Sequence, residues 1–155
     1  MEITPDGNCF YRSLSKFLYN TDKHHLILSK AISKFCKQHL NSIINFMPTV
    51  EIRHNIFIDT KNYIETKMEK DKTWAVDLDI ICSSFLFCIN IAIYKDNTLE
   101  NNISYLNIFT SENNTYNLPL MIIINENLNH FNLVCEKTKI IFILKISIKL
   151  FNILL

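Results

Sequence analysis

The fold begins with Pro5-Asp6-Gly7-Asn8-Cys9-Phe10-Tyr11-Arg12-Ser13-Leu14. Four turn-forming residues lead directly into apolar residues at helical spacing, so we predict a turn followed by a helix over residues 9–20. Gly7 is the single glycine among 155 residues, where average composition would give about ten. Glycine permits a positive φ and a close approach of the backbone to another group. The only glycine therefore marks a special backbone position just before Cys9.

Cys9 has two interpretations when its local sequence is considered alone. The N–H groups and dipole at a helix start stabilise a thiolate, and the turn from Asp6 to Cys9 can direct N–H groups at a developing oxyanion. Cys9 could then be a nucleophile whose proton passes to a histidine. The alternative is a buried cysteine at a helix start that follows an ordinary Asp-Gly turn. The residues by themselves leave both interpretations open.

His130 differs from the other four histidines because it opens an apolar strand, residues 130–134. Side chains two apart along a strand share a face, so His130 and Asn132 project together, whereas Phe131 and Leu133 face the other side. An amide oxygen beside an imidazole can accept the ring N–H and hold the ring, as in Cys-His-Asn sites. The pair is a weak signal alone, because His-x-Asn is common by chance.

The pattern of apolar residues predicts helices first and strands afterwards. The predicted helices span residues 9–20, 24–47, 59–68 and 77–87. The predicted strands span residues 89–94, 103–109, 120–125 and 130–135. No linker and no internal repeat divides the chain. This order predicts one α+β domain in which the sheet rests on a helical layer.

Charge and cysteine content exclude several function classes. The formal net charge is +1 with both signs interspersed, which disfavours a nucleic-acid partner. Five cysteines without a C-x-x-C pair argue against a disulfide framework and a zinc ribbon, and we expect no metal or cofactor. The polar start of the chain shows no secretory signal. We expect an intracellular, cytoplasmic protein.

Residues 139–155 are strongly apolar but carry Lys145 and Lys149. The stretch falls short of the ~20 uninterrupted apolar residues that a membrane span needs. We favour a packed terminal strand or helix over an amphipathic helix on a membrane surface, and both over a true span. The domain is accordingly drawn at residues 1–138, with an unassigned tail after it.

Residues 5–14 closely resemble the nucleophile motif of the ovarian-tumour (OTU) family of cysteine proteases, most of whose characterised members are deubiquitinases. The second signature of that family, a histidine, an aromatic residue and then Asn or Asp, is matched by residues 130–134, His-Phe-Asn-Leu-Val. Residues 74–94 resemble the segment in which a tryptophan precedes a helix and an Ile-x-Ile strand. The resemblance spans about residues 4–135. It implies an OTU-like, papain-like α+β fold with helices packed on a small central sheet.

The resemblance also implies a reaction. Cys9 would be the nucleophile, His130 the general base and Asn132 the residue that orients the histidine. The substrate would be ubiquitin or a ubiquitin-like modifier, cleaved after its C-terminal glycine by a monomeric enzyme. Two alternatives stay open: a ubiquitin-binding module with an impaired site, and a protease that processes a viral or mobile-element polyprotein.

The remaining site residues come from the same motif. The aspartate of the motif, here Asp6, supports the active-site loop in many relatives and is counted with the catalytic residues in some. The resemblance also implies that Gly7 and Asn8 lie among the oxyanion N–H groups and contact substrate. We expect Gly7→Val to cost activity far more than stability. The small pair and acidic residue that many members have after the tryptophan are replaced here by residues 75–77, Ala-Val-Asp. Trp74 itself is expected in the core rather than at the edge of a substrate channel.

Overall fold

A computed structural model describes residues 2–53, 55–97, 102–109, 118–126 and 130–134, and within these ranges it contains five helices and six strands. The helices are α1 (Cys9–Tyr19), α2 (His25–Gln38), α3 (Leu40–Phe46), α4 (Thr60–Thr66) and α5 (Asp77–Phe87). The strands are β1 (Thr49–Arg53), β2 (Ile56–Asp59), β3 (Asn90–Asn97), β4 (Asn102–Phe109), β5 (Leu120–Glu126) and β6 (His130–Val134). The predicted α+β class is confirmed.

The central sheet has four strands in the order β4-β3-β5-β6. β3 and β5 are parallel, and the other two pairs are antiparallel. Met121 and Ile123 of β5 and Leu133 of β6 are buried, and α1 packs against this end of the sheet. The ring of Phe10 in the first turn of α1 contacts that of Phe131 in β6, with centroids 5.9 Å apart. The start of α1 therefore lies beside the start of β6.

Helix α1 forms as its sequence predicts and ends one residue earlier than expected. Its apolar residues Phe10, Leu14 and Leu18 are almost fully buried. Asn20 takes a left-handed conformation, φ 58°, and its N–H donates to the Lys16 carbonyl, which closes the helix.

The prediction of a single long helix over residues 24–47 is wrong. The helix is interrupted at His39, whose φ of −111° and ψ of 21° separate α2 from α3. Pro48 ends the helical region as expected, but an unpredicted hairpin of β1 and β2 follows, turning at Asn55 with φ 59°. The hairpin strands are only five and four residues long, and β2, Ile-Phe-Ile-Asp, does not alternate apolar with polar residues, so the hairpin gives a short and incomplete strand signal.

The other predicted elements match closely. α4 begins after Asp59, whose carboxylate accepts the Asn62 N–H at 2.9 Å as an N-cap. α5 has the predicted bounds, and the four later strands lie where the sequence places them. The tail, residues 139–155, lies outside the described residues. Within the described part of the chain, no helix is long and apolar enough to cross a membrane.

Candidate active site

Cys9 is the first residue of α1, and the fold buries it to 4% exposure. The first N–H groups of a helix have no intrahelical partner, so they surround this side chain with unpaired donors. Burial nevertheless raises the pKa of the Cys9 thiol above its ordinary value, while the backbone N–H groups of Phe131 and Phe10 act in the opposite direction. The resting side chain is therefore a thiol that needs a base.

The structure brings β6 against this thiol. The Phe131 N–H acts on the Cys9 sulfur, and the Phe131 carbonyl accepts the hydroxyl of Ser13 at 3.2 Å. His130 directly precedes Phe131 in β6. The two elements that carry these candidate residues, 121 positions apart in the sequence, thus lie side by side where α1 and β6 begin.

His130 and Asn132 lie on the same face of β6, as the alternation predicts, with Phe131 and Leu133 buried on the other side. The Nε2 atom of His130 is 3.1 Å from Oδ1 of Asn132. The other ring nitrogen, Nδ1, is buried and has no hydrogen-bond partner among the residues that the structure describes. The imidazole is held at one nitrogen and available at the other.

Asp6 organises the turn that precedes Cys9. Its carboxylate accepts Nη2 of Arg12 at 2.6 Å and Nε at 3.0 Å, a fork that ties the turn to α1. Oδ1 of Asp6 also accepts the backbone N–H of Asn8 at 3.0 Å. The Arg12 guanidinium holds the pKa of Asp6 down to about 2. Asp6 is thus an anionic anchor for the loop, in keeping with the supporting role that the resemblance implies.

Gly7 is required for a reason that its local sequence does not show. Its φ is +84°, and a Cβ built on it would lie 2.8 Å from the carbonyl carbon of Lys72, and closer still to the carbonyl oxygen. A side chain here collides with backbone 65 positions along the chain. The sequence attributes the glycine to access for a substrate carbonyl, whereas the structure gives it a packing role, so we now expect substitution to cost stability as well.

Asn8 joins the same two segments. Its side chain is buried, donates from Nδ2 to Asp71 at 2.8 Å, and accepts the Lys72 N–H at 3.0 Å. Its backbone N–H is already donated to Asp6. Both polar ends of this residue therefore hold the loop from behind.

A buried acid beneath α1 was missed by the sequence analysis. Asp79 in the first turn of α5 is fully buried and accepts the hydroxyls of Tyr11 and Tyr63, each at 2.6 Å, and the Val76 N–H at 2.8 Å. Burial raises the pKa of Asp79 to about 6 despite these donors. The network links α1, α4 and α5 under the candidate site. Tyrosines within apolar helix faces gave the only sequence signal, and it does not identify their partner.

Trp74 is not in the core. It is 48% exposed on the segment before α5, which corrects the expectation of a buried side chain. The buried position at this helix start belongs instead to Val76, whose N–H meets the buried Asp79 carboxylate. Across the described ranges, no group of three or more His, Cys, Asp or Glu side chains could hold a metal ion.

A cysteine at a helix start, packed against a strand whose histidine is hydrogen-bonded to an amide, combines the residue types of Cys-His-Asn thiol hydrolases. The family model for OTU-like cysteine proteases matches residues 4–131. The chain therefore belongs to this family, as the sequence motifs indicated.

Solved structures agree on the fold. The chain is similar to the OTU domain of OTUD1, with a TM-score of 0.73 and 21% identity over 88% of this chain and 84% of that one. It is also similar to the Hazara virus OTU bound to ubiquitin, with a TM-score of 0.61 and 18% identity over 88% and 81% of the two chains. A third is the OTU deubiquitinase from Wolbachia pipientis wMel bound to ubiquitin, with a TM-score of 0.65 and 15% identity over 86% and 93%. Comparison with curated proteins finds no match to this sequence.

Proposed function

We propose that this chain is an active deubiquitinase in which Cys9 is the nucleophile, His130 the general base and Asn132 the residue that orients the base. The observation that carries the proposal is the state of His130. Its Nε2 meets Asn132, whereas its Nδ1 is buried without a partner among the described residues at the junction that holds Cys9. A ring nitrogen without a partner, on the strand whose next residue contacts the Cys9 sulfur, supports a role in proton abstraction.

The reaction is acyl transfer. His130 takes the thiol proton at Nδ1 as the Cys9 sulfur attacks the carbonyl carbon of the scissile bond. The raised pKa of Cys9 favours this transfer during attack over a preformed thiolate. His130 then gives the proton to the leaving amine, and a thioester remains on Cys9. Water, deprotonated by the same nitrogen, hydrolyses the thioester and restores the thiol.

The oxyanion is assigned to the N–H of Cys9, the first in the helix, together with that of Gly7. Asn8 is left out as a donor because its N–H binds Asp6. Asp6, Arg12 and Asn8 act on the reaction only by fixing this loop.

Ubiquitin is the proposed substrate because two similar structures hold it, and because the family is one of cysteine proteases. The test is cleavage of ubiquitin chains of every linkage by the wild type, Cys9→Ala and His130→Ala. We expect cleavage by the wild type and none by Cys9→Ala. His130→Ala should also raise the pH at which Cys9 is alkylated. Binding without turnover would point to an impaired module, and cleavage confined to the parent reading frame would point to a polyprotein protease.

A further inference from the structure

Two nitrogen atoms converge on one amide oxygen beside His130. Oδ1 of Asn132 lies 3.0 Å from the backbone N of Ile3 and 3.1 Å from Nε2 of His130. Ile3 is 4% exposed although its neighbours Glu2 and Thr4 are exposed, so this one residue of the segment is packed into the fold. A residue 129 positions away in the sequence thus touches the group that holds the imidazole.

The Ile3 N–H decides which way the Asn132 amide faces. A backbone N–H can only donate, so the atom opposite it must be the amide oxygen and not the NH₂ group. The same oxygen faces Nε2 of His130, and an oxygen without a proton can only accept. Nε2 must therefore carry the proton, and neutral imidazole then has its lone pair on Nδ1.

We propose that the backbone N–H of Ile3 is a positioning group that fixes the tautomer of His130 by fixing the amide of Asn132. Without this donor, the Asn132 amide loses the contact that selects its oxygen, and a half-turn of the amide would present its NH₂ group to Nε2. Nε2 would then accept, the proton would move to Nδ1, and the imidazole would have no lone pair for a thiol proton. The inference rests on the proposed function only in treating Nδ1 as the base, since the tautomer itself is a property of the resting chain.

The first test compares Ile3→Pro, which lacks the N–H, with Ile3→Val, which keeps both the N–H and a β-branched apolar side chain. Long-range proton–nitrogen NMR above pH 7.5 reports the tautomer, with the His130 signals assigned from their loss in His130→Gln. We expect the Nε2–H tautomer in the wild type and in Ile3→Val, and a mixture or the Nδ1–H tautomer in Ile3→Pro. An unchanged tautomer in folded Ile3→Pro overturns the proposal.

The second test separates orientation from general structural damage. A carboxylate presents an acceptor oxygen on either side, so Asn132→Asp removes the need for Ile3 to choose the orientation. We expect Ile3→Pro to slow Cys9 alkylation at pH 7.5 about tenfold in the parent chain, the size expected for losing one useful hydrogen bond. In the Asn132→Asp background the same change should cost less than about twofold. Equal losses in both backgrounds would make Ile3 a merely structural residue and refute the proposal.

If Ile3→Pro does not fold, a smaller change at the same position replaces it. An ester in place of the Glu2–Ile3 amide removes only the N–H, and it can be made by joining a synthetic peptide of residues 1–8 to residues 9–155 through Cys9. The ester should show the same tautomer change, and a wild-type tautomer in it refutes the proposal. The NMR readout uses no ubiquitin. A tautomer change in a chain that fails to cleave ubiquitin would therefore support the inference and reject the proposed function. An unchanged tautomer in a chain that cleaves ubiquitin would reject the inference and support the proposed function.

Discussion

Replacing Arg12 with alanine removes the fork that ties the Asp6 turn to α1. Arg12 makes two contacts to one carboxylate oxygen, at 2.6 and 3.0 Å, and both side chains are about one-fifth exposed. The pKa of Asp6 falls from an ordinary 3.8 to about 2, chiefly through this pair. At ~1.36 kcal/mol per pKa unit the difference is about 2.5 kcal/mol, and partial exposure reduces it to about 2 kcal/mol. Arg12→Ala should lower the free energy of unfolding by that amount at pH 7.

The pH dependence tests the cause. A depressed carboxyl pKa contributes stability that is complete above the unfolded pKa near 4 and is lost as pH falls through about 2. Urea unfolding from pH 7 to pH 2 should therefore show the wild type and Arg12→Ala converging between pH 4 and pH 2. Asp22→Asn is the matched control, because its 3.3 Å pair with Arg12 is more exposed and should be worth less than about 0.5 kcal/mol. The prediction is contradicted if Arg12→Ala loses the same free energy of unfolding at every pH. It is also contradicted if Asp22→Asn loses as much as Arg12→Ala, because the stability could then not be assigned to the pair of Arg12 and Asp6.

Three further changes test other parts of the molecule. Gly7→Ala should cost about 2 kcal/mol in urea unfolding, more than Asn20→Ala, which shares a positive φ at an exposed position without the backbone collision; equal costs would reject the collision. Tyr63→Phe should cost about 2 kcal/mol at pH 7.5 and less at pH 5, because the pKa of Asp79 is about 6 and hydrogen bonds to a charged acceptor are stronger; an equal cost at both pH values would mean that the charge of Asp79 does not change between them. Trp74→Ala should lower the free energy of unfolding by less than about 1.5 kcal/mol, whereas a fully buried aromatic side chain costs roughly 3–5.

The sequence predicts those parts of the fold and site that depend on neighbours along the chain. The turn residues before Cys9 and the apolar spacing after it define α1 almost to the residue. Strict alternation places His130 and Asn132 on one face of β6, and the structure adds the hydrogen bond between them. In each case the relevant contacts lie within one helical turn or two strand positions.

Features that depend on distant segments are missed. A side chain at position 7 would collide with the backbone of Lys72, and no residue near either position in the sequence indicates that the two segments approach each other. In the sequence, Asp79 is an ordinary acidic residue in the first turn of a predicted helix. In the structure, α1 and α4 pack over it, and it is a buried hydrogen-bond acceptor. The break at His39 is likewise not indicated locally, because the sequence on both sides of it continues the helical pattern. Ile3 lies six positions before the first predicted element, and its contact with Asn132 exists only because the fold places β6 beside it.

Cys9 alone is expected to react with the C-terminus of ubiquitin. Ubiquitin carrying a C-terminal electrophile tests it directly, with intact mass before and after incubation and peptide mapping of the product. The matched control is Cys88→Ser, since Cys88 is the only described cysteine that is not buried. We predict one added ubiquitin on the wild type and on Cys88→Ser, attached at Cys9, and none on Cys9→Ala. Labelling that persists in Cys9→Ala, or a folded wild type that gains no ubiquitin, would contradict the account.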